Sequence, residues 1–311
     1  MKLINHIEDL PELNYAVVTS GTYDGVHYGH RKILKKVVDT AKSHNGESVV
    51  LTFWPHPRYV LGKDAEDLKL LTTFEEKATL MEETGIDYLV KIHFTREFSE
   101  LSSSEFIQSI LIEGLQTRKL IIGYDHRFGR NQEGSFQYLK EHQEELGFEV
   151  EEIARQDIDD VTISSTKIRQ ALQEGNVAQA NSYLGHDFTI SGLVTKGDQV
   201  GRQIGFPTAN IYVTESTKII PGDGVYAVYV MIDDEKYRGM LNIGMRPTLS
   251  GKQKTIEVNI FDFDEDIYGQ MIQVRFIQLL RKEKKFENLE ELKSQLLQDK
   301  QNVMKIFEEN K

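Results

Sequence analysis

Cysteine is absent from all 311 residues, which excludes disulfides, thiolate metal sites and a thiol nucleophile, and leaves oxygen and nitrogen as the metal donors. Positive charge is scarce as well: 37 Lys and Arg against 49 Asp and Glu give a formal net charge of -12. A protein that neutralises a nucleic-acid backbone needs a basic field, so the balance argues against a sequence-independent nucleic-acid partner. Any phosphate handled here belongs to a small molecule in a local pocket. Long apolar runs are missing too, the longest being short stretches such as Val225–Ile232, well below the length of a membrane span. The opening MKLINHIEDLPEL interrupts its apolar residues with His6, Glu8, Asp9 and Pro11 and lacks a signal-peptide core. A cytoplasmic protein without a membrane partner is the expectation, and the length suits two ordinary domains.

What is present divides by periodicity. From Tyr15 to about Leu184, short apolar runs (AVV, VVLTF, DYLVKI, KLIIG, FEVEEI) alternate with helical patterns at Ile33–Ala41 and near Phe74–Thr84, Ser103–Leu115 and Ser135–Leu146. Strands separated by helices of that length require crossover connections and predict a parallel sheet covered on both faces. After Leu184 the rhythm changes to period-two runs, FTISGLV, VYAVYVMI, YRGMLNI, TIEVNIF and MIQVRFI, divided by Gly, Asp, Pro and Lys turns. Those predict an antiparallel barrel or sandwich. From Asn288 helical spacing returns, with Leu289, Leu292, Leu296, Val303 and Phe307 on or near one stripe, so a terminal helix is expected to pack on the barrel.

The segment SGTYDGVHYGH, Ser20–His30, follows the first strong strand and opens the first helix. In a parallel α/β sheet that is where ligands bind and where helix amides face an anion. It has neither the Gly-Lys-Ser/Thr ending of a Walker loop nor dinucleotide G-x-G-x-x-G spacing. His27 and His30 are placed to donate charge-assisted hydrogen bonds to phosphate, with Gly29 allowing close approach. A tight turn with one capping histidine, or a metal pair at i, i+3, would also explain the pattern. Near the end of this half, Ser164, Ser165, Thr166, Lys167 and Arg169 begin a helix with three hydroxyls, free amides and two cations. That set suits a polyphosphate tail, or simply an N-cap with surface charges.

In the second half, GLVTKGDQVGRQIGFPTANI, Gly192–Ile211, runs strand, glycine-bearing loop, then Pro207-Thr208-Ala209-Asn210 into another strand. The loop offers backbone amides to phosphate, and Thr208 and Asn210 offer hard oxygen ligands suited to Mg²⁺. A β-turn leading into an edge strand accounts for Pro207, without requiring Thr and Asn together.

His-x-Gly-His paired with Ile163-Ser164-Ser165-Thr166-Lys167-Ile168-Arg169 resembles the nucleotidylyltransferase superfamily. LTFWPHP, Leu51–Pro57, and GYDHRFGRNQEGS, Gly123–Ser135, narrow the resemblance to the adenylyltransferase half of prokaryotic FAD synthetases. Tyr23 stands here for the usual Phe, and His126 where Phe is common. LNIGMRPTLSGKQKTIEVNIFDFDEDIYGQMIQVRF and LLRKEKKF are similar to riboflavin kinases, with Leu249 and Asn259 where Phe and His are expected. The resemblance spans nearly the whole chain. It implies an α/β nucleotidylyltransferase domain (Rossmann-like, parallel sheet) at 1–184 and an antiparallel β-barrel flavokinase domain with a C-terminal helix at 185–311.

The implied activity is phosphorylation of riboflavin to FMN and adenylylation of FMN to FAD, with ATP as co-substrate of both steps and Mg²⁺ as cofactor. A kinase with a decayed adenylyltransferase module and a flavin-binding regulator are the alternatives. By the same resemblance, Glu257 is the kinase base, and His27 and His30 act in adenylyl transfer. Gly21, Tyr23, Asp24, Gly29, Ser164, Ser165, Thr166, Arg169, Gly197, Gly201 and Gly205 bind ATP or phosphate. Asp125, Phe128, Arg281 and Glu283 contact flavin, and Thr208 and Asn210 hold the metal.

Overall fold

In the computed structural model, residues 1–62, 67–124, 126–153, 163–197, 200–233, 235–248 and 251–309 are described. Asp125 and Leu249 of the expected pattern lie outside them. The chain packs into two compact units, Met1–Ile163 and Ser164–Lys311.

The first unit is a six-stranded parallel sheet: β1 (Lys2–Ile4), β2 (Ala16–Ser20), β3 (Glu47–Trp54), β4 (Tyr88–His93), β5 (Thr117–Gly123) and β6 (Glu149–Ile153), in the order β1-β4-β3-β2-β5-β6. β2 is buried throughout, as a central strand covered on both faces should be. Ala16 and Val18 face one core with Phe106, Leu120 and Phe128, while Val17 joins Ile33, Val37 and Ile121 on the other. β1 was not anticipated, because three residues are too few to show a period. The expected helix near Ser103–Leu115 begins at Ser103–Glu105 and continues as a π-helix over Phe106–Gly114.

The strand order reverses at β2: β3 and β4 follow on one side, β5 and β6 on the other. The crevice at the carboxyl ends of β2 and β5 is therefore the topological switch point, and Gly21–His30 sits there as the connection to the helix Tyr28–Ser43.

The second unit is a closed barrel of β7 (Phe188–Thr195), β8 (Ala209–Tyr212), β9 (Gly224–Ile232), β10 (Glu235–Thr248), β11 (Gly251–Ile260) and β12 (Met271–Arg281), ordered β10-β11-β8-β7-β12-β9. β7 alternates buried and half-buried residues without a break, the pattern of a barrel wall. The C-terminal helix Leu289–Glu309 lays Val303 and Phe307 on Ala227, Met240 and Phe261, with Leu292 and Leu296 at the margin. Leu289 departs from the expected stripe and is exposed, since it occupies the first turn.

The helices Ser165–Gln173 and Val177–Leu184 precede the barrel in sequence and pack with it, so this unit begins earlier than the expected break after Leu184. The fastening is specific. Asn181 Nδ2 donates to the Phe276 carbonyl at 2.7 Å, the Phe188 amide donates to Asn181 Oδ1 at 2.8 Å, and the Gly222 amide donates to the Leu172 carbonyl at 2.8 Å. Long-range hydrogen bonds of this kind leave no signal in hydrophobic period.

Candidate functional sites, one in each unit

The Gly21–His30 loop is wound tightly. Tyr23 and Val26 hold φ of 49° and 40°, and Gly25 holds 83°. A bulky and a β-branched residue in that region cost on the order of 1–3 kcal/mol each, so the surrounding structure must enforce the path. Two inward-facing side chains do so. Tyr23 is buried, with its hydroxyl 2.7 Å from Thr19 Oγ1. Asp24 is buried and accepts the Leu71 amide at 2.9 Å and the Thr72 amide at 3.2 Å. Both were expected to meet phosphate. Their side chains face inward and anchor the loop from inside. Gly21 is held small by the same packing, because a Cβ there would come 3.1 Å from the Tyr23 ring.

His27 is the N-cap of the first helix, its Nδ1 accepting the His30 amide at 3.4 Å. That bond puts the His27 proton on Nε2. The two imidazoles stack, with centroids 3.6 Å apart and planes 16° from parallel, and Tyr23 meets His30 edge-on at 5.1 Å. Gly29 lies buried in the helix's first turn. His30 Nδ1 is covered and has no hydrogen-bond partner, an orphaned polar atom of the kind a ligand satisfies. Burial, then His27, then Lys77 hold His30 well below its ordinary 6.5. Burial therefore favours the uncharged form of the His30 ring, where a charge-assisted donor was expected from sequence.

Below pH 6.5 the unfolded chain binds a proton that native His30 refuses, so stability falls as pH drops from 6.5 toward the lower folded value; above that window this group contributes nothing. Thermal melts between pH 8 and pH 5 should show a declining Tm on the acid side, and His30→Gln should flatten part of that slope.

Elsewhere in this unit, the segment LTFWPHP ends β3 and lets His56 cap the helix Pro57–Leu61, accepting the Arg58 amide at 3.2 Å. Phe128, expected on the flavin, is 7% exposed and packs on Phe106 at 5.4 Å. Its ring belongs to the core because the loop turns it inward. His126 stacks over it at 6.0 Å, so the histidine in place of the usual Phe is accommodated as an aromatic.

Ser164, Ser165, Thr166 and Arg169 open the second unit. Ser164 is the N-cap of Ser165–Gln173, its hydroxyl accepting the Lys167 amide at 3.3 Å. Thr166 is exposed and Arg169 half-buried.

In the barrel, register builds the site. Glu257 on β11 stands directly opposite Asn210 on β8 and Asn242 on β10, and Asn210 stands opposite Thr195 on β7. Cross-strand partners share a face, so Thr195, Asn210, Glu257 and Asn242 form one polar row over four strands. Ile256 and Val258, on either side of Glu257, are buried, while Glu257 is half-buried. Asn242 Nδ2 lies 3.5 Å from Glu283 Oε1, and the Glu283 carboxylate rests where a Cβ on Gly244 would be. At the other end a Cβ on Gly197 would overlap the Asn210 amide. Gly201 is constrained similarly by the Phe206 carbonyl, and Gly205 makes the following turn at φ 84°.

A cavity of about 230 Å³ opens in this unit, lined by Thr208, Ala209, Val258, Ile260, Phe263 and Tyr268 among others. Ala209 pairs with Val258 next to the Asn210–Glu257 pair, so the cavity lies on the opposite face of these strands from Glu257. Thr208, at the entry to β8, is where the two faces meet. Asn259, which replaces the expected His, donates from Nδ2 to the Pro207 carbonyl at 2.7 Å and fixes that entry.

Arg281 was expected at the flavin. Its guanidinium is instead held by Asp299 of the C-terminal helix, with Nε 3.1 and 3.0 Å from the two carboxylate oxygens and Nη2 at 2.7 Å. Asp299 is 1% exposed and also accepts Gln295 Nε2 at 2.9 Å. A forked pair, its carboxylate buried and its guanidinium half-buried, fastens the helix to β12 and leaves Arg281 little freedom for a ligand. Asp299→Asn removes the charge that the half-buried arginine pairs with, and should cost about 1.5–3 kcal/mol, read as an early melting transition of the barrel unit.

The FAD synthetase family model matches residues 10–167, and the riboflavin kinase family model matches residues 184–307. A bifunctional riboflavin kinase/FMN adenylyltransferase of Escherichia coli strain K12 is 38% identical over 310 residues, covering 99% of this chain and 98% of the relative. The enzyme of the same name from Bacillus subtilis strain 168 is 38% identical over 297 residues, covering 94% and 92%. The chain belongs to the bifunctional riboflavin kinase/FMN adenylyltransferase family. A crystal structure described as a macrolide-efflux protein from Streptococcus pneumoniae shares the fold, with a TM-score of 0.88 and 31% identity, covering 97% of this chain and 98% of that one. Efflux is said of that protein; no helix among the described residues here is long and apolar enough to cross a membrane.

In the FAD synthetase half, a residue beside the loop that the sequence did not single out is Lys77, which reaches it only through folding. In the riboflavin kinase half it is Asn242, inside the quoted LNIGMRPT run, along with Phe263 and Tyr268 at the cavity. A strand alignment placing Asn242 opposite Glu257 would have found the first.

Proposed function

We propose that this chain makes FAD from riboflavin in two ATP-dependent steps, the barrel unit forming FMN and the sheet unit adenylylating it. Each half carries its own polar site, and that observation supports the reading most. In the kinase step, Glu257 accepts the proton of the riboflavin 5′-hydroxyl as that oxygen bonds to the γ-phosphorus of ATP, and the bond to the β-phosphate oxygen breaks to release ADP. Asn242 and Glu283 orient the base and its neighbour. The cavity beside Thr208 offers Phe263 and Tyr268 to a planar ring, with Arg202 as its cation and Asp264, Glu265 and Asp266 on its polar side. The oxygen donors of Thr208 and Asn210, next to a carboxylate and with phosphate to complete the shell, suit Mg²⁺. When bound there, it neutralises charge on the transferring phosphoryl group.

In the adenylyl step, the FMN phosphate is already an anion and needs no protein base. Its oxygen bonds to the α-phosphorus of a second ATP, and pyrophosphate leaves. Catalysis then rests on alignment and on donors aimed at developing charge: His27 Nε2, His30 and the amides of the first helix turn. We place the enzyme in the cytoplasm, where ATP feeds both reactions.

The test is chromatography of flavins after the purified chain meets riboflavin, excess ATP and Mg²⁺, with a parallel reaction started from FMN. FMN followed by FAD is expected. FMN alone would remove the adenylyl step, and no turnover would leave a flavin-binding protein.

A further inference from the structure

The segment Pro207-Thr208-Ala209-Asn210 enters β8 between two anchors. Before it, Phe206 is buried with Ile204 and Phe261 against Val303 and Phe307 of the C-terminal helix, and its amide donates to the Gly201 carbonyl at 2.8 Å. After it, Ala209 and Asn210 pair with Val258 and Glu257 of β11. That pairing ends at Ala209. Carried further, the register would set Thr208 against Asn259 and Pro207 against Ile260, but proline has no N–H to lend to a ladder.

A side chain takes over there. Asn259 is 7% exposed, and its Nδ2 donates to the Pro207 carbonyl at 2.7 Å, 52 residues away in sequence. Asn259 is itself fixed on β11 by pairing with Met240 of β10. A Cβ on Gly239 would lie 2.8 Å from the Asn259 carbonyl oxygen, so the two strands approach closely at this point. Strand alternation puts Asn259 on the same face as Glu257, about 7 Å along the strand, while Pro207 and Thr208 line the cavity. One amide thus joins the strand of the candidate base to the segment that carries the candidate metal oxygens.

We propose that Asn259 is a positioning residue of the kinase site, whose side-chain amide holds Thr208 and Asn210 at the spacing a nucleotide-bound divalent cation requires. The inference rests on the reading that the barrel unit binds ATP with Mg²⁺. That ion demands near-ideal octahedral geometry with oxygens at about 2.0–2.1 Å, so its ligands tolerate little drift. Thr208 lies just before the ladder begins. Pinning the preceding carbonyl fixes its approach before the nucleotide arrives, which removes an ordering cost from binding. Asn259 acts through Pro207.

Calorimetric titration of the full chain with ADP, with and without Mg²⁺, tests this, together with KM for ATP in riboflavin phosphorylation, which reads the barrel unit alone. Asn259→Ala is expected to weaken ADP binding in the presence of Mg²⁺ roughly three- to tenfold, the worth of one hydrogen bond, and to leave binding without the metal unchanged. KM for ATP should rise by a similar factor with a smaller change in kcat, and FAD formation from supplied FMN should stay at the wild-type rate. Asn259→His, whose Nδ1 stands as far along the side chain as the amide nitrogen, should restore most of the affinity. An asparagine that only supports the barrel would lower Tm and leave the metal-dependent part of binding alone, and that result in a folded Asn259→Ala protein overturns the proposal. If this variant does not fold, Asn259→Leu, which keeps the branched shape without the donor, carries the same test. A wild-type chain that neither binds ADP with Mg²⁺ nor phosphorylates riboflavin sinks the kinase reading and the proposal with it. A wild-type chain that does both, beside an Asn259→Ala protein that binds equally well, sinks the proposal alone.

Discussion

Glu257→Gln is expected to lower riboflavin phosphorylation by on the order of 10²–10⁴, the range for loss of a general base, while adenylylation of supplied FMN continues at the wild-type rate. In free-energy terms that is about 3–5 kcal/mol of transition-state stabilisation. The amide keeps the volume and can still bond to its cross-strand neighbours, Asn210 and Asn242. The loss therefore reports proton acceptance and not collapse of the strand. Separate assays from riboflavin and from FMN check it, and an equal fall in both activities would contradict two independent sites.

His30→Ala has the converse expectation: FAD formation falls roughly 10²–10³-fold, the usual cost of removing one donor to developing charge, and FMN formation from riboflavin persists. Removing the ring also removes the stacking partner of His27 at 3.6 Å. A second variant, His30→Gln, retains a donor near the same place and should recover part of the rate. An unchanged FAD rate in His30→Ala would take this residue out of the mechanism. Because His30 Nδ1 is covered and unpartnered in the free protein, the alanine variant should also be no less stable at neutral pH than its lost packing dictates.

The placement of several expected site residues follows from local geometry, for a physical reason. His27 and His30 stand in a segment whose position after a central strand and before a helix is itself diagnostic, and local geometry is encoded by local residues. Glu257 was readable because a strand alternates faces, so a polar residue between Ile256 and Val258 must point away from their core. Four other expected site residues share another property. Tyr23, Asp24, Phe128 and Arg281 are polar or aromatic members of recognisable motifs, yet each turns inward, toward Thr19, the amides of Leu71 and Thr72, Phe106 and Asp299 respectively. A motif shows that a residue type is needed; it does not show whether the need is contact with ligand or support of the segment that makes the contact.

By itself the sequence determined the alternation of strand and helix followed by period-two strands, the glycine-rich connection at the first crossover, and the oxygen and nitrogen chemistry left by the absence of cysteine. These follow from nearest-neighbour geometry along the chain. Tertiary structure alone decided that Asn242 joins Asn210 and Glu257 in one row, that the helices after Ile163 pack with the barrel, and that Lys77 lies behind Thr22. Such pairings join residues far apart in sequence. They are set by strand register and by the few side-chain hydrogen bonds that survive burial, neither of which leaves a periodic trace in the chain.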